Sequence, residues 1–144
     1  MGSDLGTHTL NVDASRQRCN RFRRRILEIS QQVQALHIGS AYSCTEIVDC
    51  IYFELMKRDS LGQFNDTFLI SKGHGCMIQY VILEDLGLLS REDLDSYCTK
   101  NGRLGCHPDI GNPGVVASTG AMNITASGSV DVIAGTALAK LQSG

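Results

Sequence analysis

One apolar run, Thr67-Phe68-Leu69-Ile70, has clear strand character, and it constrains the fold more than any other stretch of the chain. A strand presents a row of N–H and a row of C=O groups, and leaving such rows unpaired in a buried setting is costly. The other candidate, residues 114–117, is weaker, so the sequence hardly supplies a neighbour for residues 67–70. The remaining periodic stretches are helical. The chain reads as part of a sheet-centred α/β domain, mostly helical as it stands.

Phe22, Ile26, Ile29, Val33 and Leu36 recur at steps of four and three, which predicts a helix from about residue 13 to 36, capped by Asp13 or Ser15. Residues 1–12 have no period and are expected to form a flexible lead, leaving 13–144 as the domain. Ser43-x-x-Glu46 has the form of a capping box and predicts a second helix opening at Ser43, with Cys44, Ile47, Val48, Ile51 and Leu55 as its buried stripe. Leu61-Gly62-Gln63 reads as a turn. A third helix is expected from about residue 75 to 86, stopped at Gly87, and Ser90-x-x-Asp93 should cap a short helix reaching Tyr97. Glycine and proline then dominate from Gly102 to Gly128, before a last helical segment at 130–141.

Charge and composition exclude several classes. The 144 residues hold 13 Lys plus Arg against 15 Asp plus Glu, a net charge of −2, which gives no general pull towards nucleic acid or anionic lipid. Arg16, Arg18, Arg21, Arg23, Arg24 and Arg25 crowd the first helix, but only Phe22 interleaves them, so a solvated or acid-paired helix face explains them better than a nucleic-acid surface. The six cysteines, Cys19, Cys44, Cys50, Cys76, Cys98 and Cys106, form no C-x-x-C and read as reduced packing residues. A chain of this length buries roughly 70% of its unfolded surface without needing staples. No apolar run approaches the roughly 20 residues of a membrane span, and no signal-peptide core occurs at the start, so a cytoplasmic protein is expected.

Three histidines stand beside glycine or proline at element ends: His37 before Ile38-Gly39-Ser40, His74 in Gly73-His74-Gly75, and His107 in Gly105-Cys106-His107-Pro108. Imidazole exchanges protons near neutral pH, and neighbouring glycines let a ligand reach the backbone. Because His74 follows the strand-like run and opens a helix, free N–H groups there would favour phosphate. These residues suggest a pocket for a small anionic polar ligand. A zinc site would want local H-x-x-x-H or C-x-x-C pairs, which are missing, and the adjacency of Cys106 and His107 does not make a catalytic pair.

In order and context these motifs resemble the N-terminal part of the transketolase family. His37-Ile38-Gly39-Ser40-Ala41-Tyr42-Ser43 resembles its His-x-Gly-(Gly/Ser)-x-x-Ser segment, and residues Asp66 to His74 its Asp…Ser-(Lys)-Gly-His turn. Gly102-Arg103-Leu104-Gly105-Cys106-His107-Pro108 resembles its Gly-x-(x)-Leu-x-Gly-His-Pro, and Gly114-Val115-Val116-Ala117-Ser118-Thr119-Gly120 its Gly-Val-x-x-Ser-Thr-Gly. The resemblance runs over about residues 14–120.

What it implies is the N-terminal portion of a thiamine-diphosphate-binding fold, helices around an incomplete parallel sheet, in an enzyme that moves a two-carbon ketol unit from a ketose to an acceptor. By motif, His37 and His107 would be catalytic, bonding the donor's hydroxyls and assisting proton movement, while His74, Gly120 and Met122 would approach the cofactor. Residues 121–128 depart from the family's Leu-Gly-x-Gly turn, and the Gly-Asp-Gly…Asn segment that holds Mg2+ and diphosphate does not occur. The resemblance therefore implies a partner, either the remaining transketolase portion or a C-terminal subunit, in a homo- or hetero-oligomer acting on a sugar phosphate or another two-carbon donor and acceptor. The alternative is a non-catalytic transketolase-derived module that binds a partner protein or a small anionic ligand.

Overall fold

A computed structural model describes residues 11–33, 36–70 and 73–105. The expected strand at 114–117 and helix at 130–141 lie outside the described residues, as does most of the expected lead. The described elements are helices α1 (Val12–Ser30), α2 (Ile38–Ser43) and α3 (Thr45–Cys50), a π-helical turn Ile51–Leu55, a 3-10 turn Gly73–Gly75, and helices α4 (Cys76–Asp85) and α5 (Arg91–Asp95).

α4 is the axis of the core. Every residue from Cys76 to Leu83 is buried, because α1, α2, α3 and α5 all pack against it. A helix that is apolar all round can only sit in such a place. Its one buried amide side chain, Gln79, donates from Nε2 to the Tyr52 hydroxyl at 3.2 Å. The helix stops as expected at Gly87, whose φ of +73° suits glycine, while the Leu88 amide turns back to the Leu83 carbonyl at 2.8 Å. The capping box of α5 forms as expected: Asp93 N–H donates to Ser90 Oγ at 3.2 Å and Ser90 N–H to Asp93 Oδ2 at 2.8 Å.

α1 presents Phe22, Ile26 and Ile29 to that core, but both of its ends differ from expectation. Its cap is Asn11, whose side chain accepts from the Ala14 amide at 3.0 Å, and Ser15 is instead drawn to Asp49 at 2.6 Å. It ends at Ser30 rather than near Leu36, with the Ser30 hydroxyl bonded to the Leu27 carbonyl at 2.7 Å. Val33 and Leu36 still pack on the core from beyond the helix.

The Ser43–Glu46 box does not form. The Ser43 hydroxyl donates to the Ser40 carbonyl at 2.9 Å, and the Glu46 carboxylate takes Arg23 at 2.6 Å. The segment opens earlier, at Ile38, and breaks at Cys44 (φ −118°) before α3 begins. With the break and the π turn the buried face becomes Thr45, Val48, Asp49 and Tyr52, leaving Ile47 63% and Leu55 66% exposed, against the expected stripe.

The arginine run is an ion-pairing face. Arg18 holds the fully buried Asp49 through two bonds of 2.7 and 3.0 Å and lies 4.3 Å from the Phe53 ring centroid. Arg25, 8% exposed, reaches Glu84 at 2.9 Å and Asp95 at 2.8 Å. Burial works against its charge, but the two carboxylates more than offset it, so its pKa lies above the ordinary arginine value. Arg21 pairs with Asp85 at 3.1 Å. Cys19, Cys44, Cys50, Cys76 and Cys98 are free thiols, as expected; Cys106 lies outside the described residues.

No strand occurs among the described residues, where an isolated antiparallel bridge joins Arg58 and Phe64. The turn between them is as expected, with Gly62 at φ +80° and Asp59 Oδ1 accepting from the Leu61 and Gln63 amides at 2.8 and 2.9 Å. Residues 67–70, expected as a strand, are in neither helix nor strand.

Candidate functional site

His37 precedes α2, and His74 sits in the 3-10 turn that leads into α4. Because α2 packs on both that turn and α4, the two imidazoles meet edge to face, with centroids 4.2 Å apart and planes at 80°. His37 is exposed and His74 half-buried. Two rings from motifs far apart in sequence thus share one spot, one open to solvent and one seated in the fold.

The glycines around them differ. A Cβ on Gly39 would meet nothing within 4 Å, so the backbone beside His37 is open to approach. A Cβ on Gly75 would come 3.1 Å from Ile70 Cδ1 and 3.6 Å from Cys44 Sγ, so the chain after His74 is closely packed and only glycine fits without displacing a neighbour. Gly75 also floors a groove of about 220 Å³ between α2–α3 and residues 68–70, walled by Cys44, Ile47, Ile51 and Ile70. Sequence reasoning misses this groove; its signal is the apolar side chains at 47 and 51, which the helical period assigns to the core.

On the far side, the Tyr80 hydroxyl on α4 donates to the Gly105 carbonyl at 3.3 Å, tying the start of the third histidine motif to the core helix. His107 itself, with Gly120 and Met122, lies outside the described residues. Among the described residues no group of three or more His, Cys, Asp or Glu is placed to hold a metal ion, and no helix is long and apolar enough to cross a membrane.

Two imidazoles thus meet ahead of a buried helix, with open backbone at Gly39 beside one of them. The sequence matches the family described as transketolase, thiamine diphosphate binding domain, over residues 15–142. The chain belongs to that family. It is 34% identical over 116 residues to an apulose-4-phosphate transketolase subunit of Phocaeicola vulgatus, covering 78% of this chain and 41% of the relative. The subunit of the same description from Actinobacillus succinogenes is 28% identical over 123 residues, 82% of this chain and 45% of the relative. The chloroplastic transketolase of Solanum tuberosum is 30% identical over 100 residues, 65% of this chain and 14% of the relative. The chain therefore spans less than half the length of each of these relatives.

Proposed function

We propose that this chain supplies the N-terminal part of the diphosphate-binding domain of a transketolase built from more than one polypeptide, which transfers a two-carbon ketol unit from a ketose to an acceptor. The observation that carries this reading is the meeting of His37 and His74 at 4.2 Å. The description of two relatives as one subunit of an apulose-4-phosphate transketolase motivates the partner chain, and makes apulose 4-phosphate the first donor to assay. A sugar phosphate or another two-carbon acceptor completes the reaction.

The described residues suit part of the cofactor. The open backbone at Gly39 and the imidazole pair offer a polar, approachable surface to an organic group. The Mg2+ ion wants a shell of oxygen ligands, for which the described residues hold no cluster, so these and much of the diphosphate contact come from other segments. When bound, thiamine diphosphate supplies the means to stabilise negative charge on the former carbonyl carbon. The chain's own part is orientation and proton movement: His37 and His107 bond the donor's hydroxyls and carry protons, His74 stands beside the cofactor, and Gly120 and Met122 approach it by backbone. Residues 67–70 serve as a strand of the parallel sheet once its neighbours are present. The assembly is an oligomer in the cytoplasm.

A second reading, a non-catalytic module that binds a partner protein or a small anion, is motivated by residues 121–128, which depart from the family's glycine-rich turn. Calorimetric titration of thiamine diphosphate with Mg2+ into the chain, alone and mixed with the portion of the Phocaeicola vulgatus relative that this sequence does not match, separates the two. Binding in the mixture that His74→Ala abolishes, with ketol transfer that His37→Ala lowers, supports the enzyme. Absence of binding in both arms supports the module.

A further inference from the structure

The third histidine motif opens on glycine, yet its first residues are held fast. The Gly102 amide donates to the Thr99 carbonyl at 3.1 Å, and a Cβ on Gly102 would overlap the Ser96 carbonyl. Arg103 reaches Asp93 on α5 at 2.6 Å, and the buried Leu104 accepts at its carbonyl from the Cys98 amide at 2.9 Å. Those bonds stay within ten residues of sequence. The next one does not: the Gly105 carbonyl accepts from the Tyr80 hydroxyl, 25 residues back on α4, at 3.3 Å. Tyr80 is fully buried, its ring set against Tyr97 with centroids 6.1 Å apart. Phenylalanine would fill much the same space, and burying a phenol there costs free energy unless its hydroxyl is bonded. The Gly105 carbonyl gives it that bond.

We propose that Tyr80 is a positioning residue for the third histidine motif: its hydroxyl fixes the point from which that motif leaves the core. The claim rests on the function proposed above, in which His107 bonds the donor's hydroxyls and carries protons. His107 is the second residue after Gly105. Two residues span at most ~7 Å even when fully extended, so a fixed Gly105 leaves the His107 backbone little range. The frame of reference is α4 itself. The turn Gly73–Gly75 that carries His74 runs straight into α4, which is buried from Cys76 to Leu83, so one enclosed helix serves both His74 and the start of the third motif. A reacting group misplaced by ~1 Å can cost ~10²-fold in rate, which gives such a tether a catalytic consequence although it acts through Gly105 and not on the donor.

The test compares Tyr80→Phe, which removes one oxygen and keeps the ring, with Tyr52→Phe, which removes another buried hydroxyl from its bond with Gln79. In proton NMR of the 144-residue chain, Tyr80→Phe should shift the His107 imidazole resonances, assigned by their loss in His107→Ala, and leave those of His37 and His74 in place. Tyr52→Phe should move none of the three. In the mixture with the unmatched portion of the Phocaeicola vulgatus relative, Tyr80→Phe should lower kcat for ketol transfer about tenfold or more. Its calorimetric affinity for thiamine diphosphate with Mg2+ should stay within about twofold of the parent's, and kcat of Tyr52→Phe within about twofold as well. An unmoved His107 resonance or an unmoved kcat overturns the proposal. So do shifts common to all three imidazoles, or a loss of kcat that Tyr52→Phe matches, for these report a loosened core. A parent mixture that transfers no ketol unit sinks the enzyme reading alone, and the resonances then decide whether Tyr80 holds the motif.

Discussion

α3 has two faces that could hardly differ more. Towards α1, Asp49 is fully buried and satisfied by Ser15 at 2.6 Å and by Arg18 at 2.7 and 3.0 Å. Away from it, Ile47 and the half-buried Ile51 line an open groove, and the neighbouring backbone at 67–69 finds no partner among the described residues. The first face is complete in its ionic and hydrogen-bond partners, and the second finds neither full cover nor pairing among the described residues. Within one short helix, polar burial is confined to where every group is matched, and exposure to where a partner could supply the match.

That contrast can be broken most forcefully from the finished side. Asp49→Ala strands Arg18 and removes the acceptor of Ser15, and breaking a buried pair in this way should cost about 3–5 kcal/mol in denaturant unfolding. An effect below ~1 kcal/mol would mean that this face is no better satisfied than the open one.

Alkaline pH probes the finished side next. Burial pushes the Tyr52 hydroxyl up from 10.0 to about 12, partly relieved by its bond from Gln79. The unfolded phenol loses its proton first, so this contribution is full below pH ~10 and is lost as pH rises through about 12. The expected decline is on the order of 2–3 kcal/mol, and Tyr52→Phe should flatten that part of the stability profile.

Two serines give a smaller and sharper contrast. Ser90→Ala removes a formed capping box and should cost about 1 kcal/mol, while Ser43→Ala should cost under about 0.5, because its box does not exist. Thermal melts of the two variants decide this. Smallest of all, Ile47→Glu should leave the isolated chain's stability within about 0.5 kcal/mol of the parent, as suits an exposed site.

Ser43 and Ser90 also show what can be read from the chain alone. Both boxes have the right residues at the right spacing, yet only the second forms: Ser43 ends α2 and its hydroxyl turns back to the Ser40 carbonyl, whereas Ser90 precedes its helix and keeps Asp93 even though Arg103 shares that carboxylate. The core face of α1, the mostly apolar α4 and its stop at Gly87 are legible because each rests on local period or local turn chemistry. The arginine run reveals its charge but not its long-range partners, which lie 31 to 70 residues away for Arg18 and Arg25. The inward face of α3 escapes the hydrophobic spacing for a related reason: a break at Cys44 and a π turn re-phase the side chains, and neither leaves a mark in that spacing. Of the site, His37 and His74 stand out in the sequence, and the structure brings them together; the groove beside them depends on how α2, α3 and residues 68–70 come together, which no residue type announces.

The long reach of the α1 arginines has a consequence for how the molecule is made. Arg25 finds Glu84 59 residues on and Asp95 70 residues on. At ~5–20 residues per second, a chain emerging from the ribosome carries this helix for several seconds before these distant counterions exist. During that interval Phe22, Ile26 and Ile29 have no α4 to rest on. Helix α1 is thus made well before it is satisfied, and folding of the described helices on the nascent chain should remain incomplete until α5 has cleared the exit tunnel.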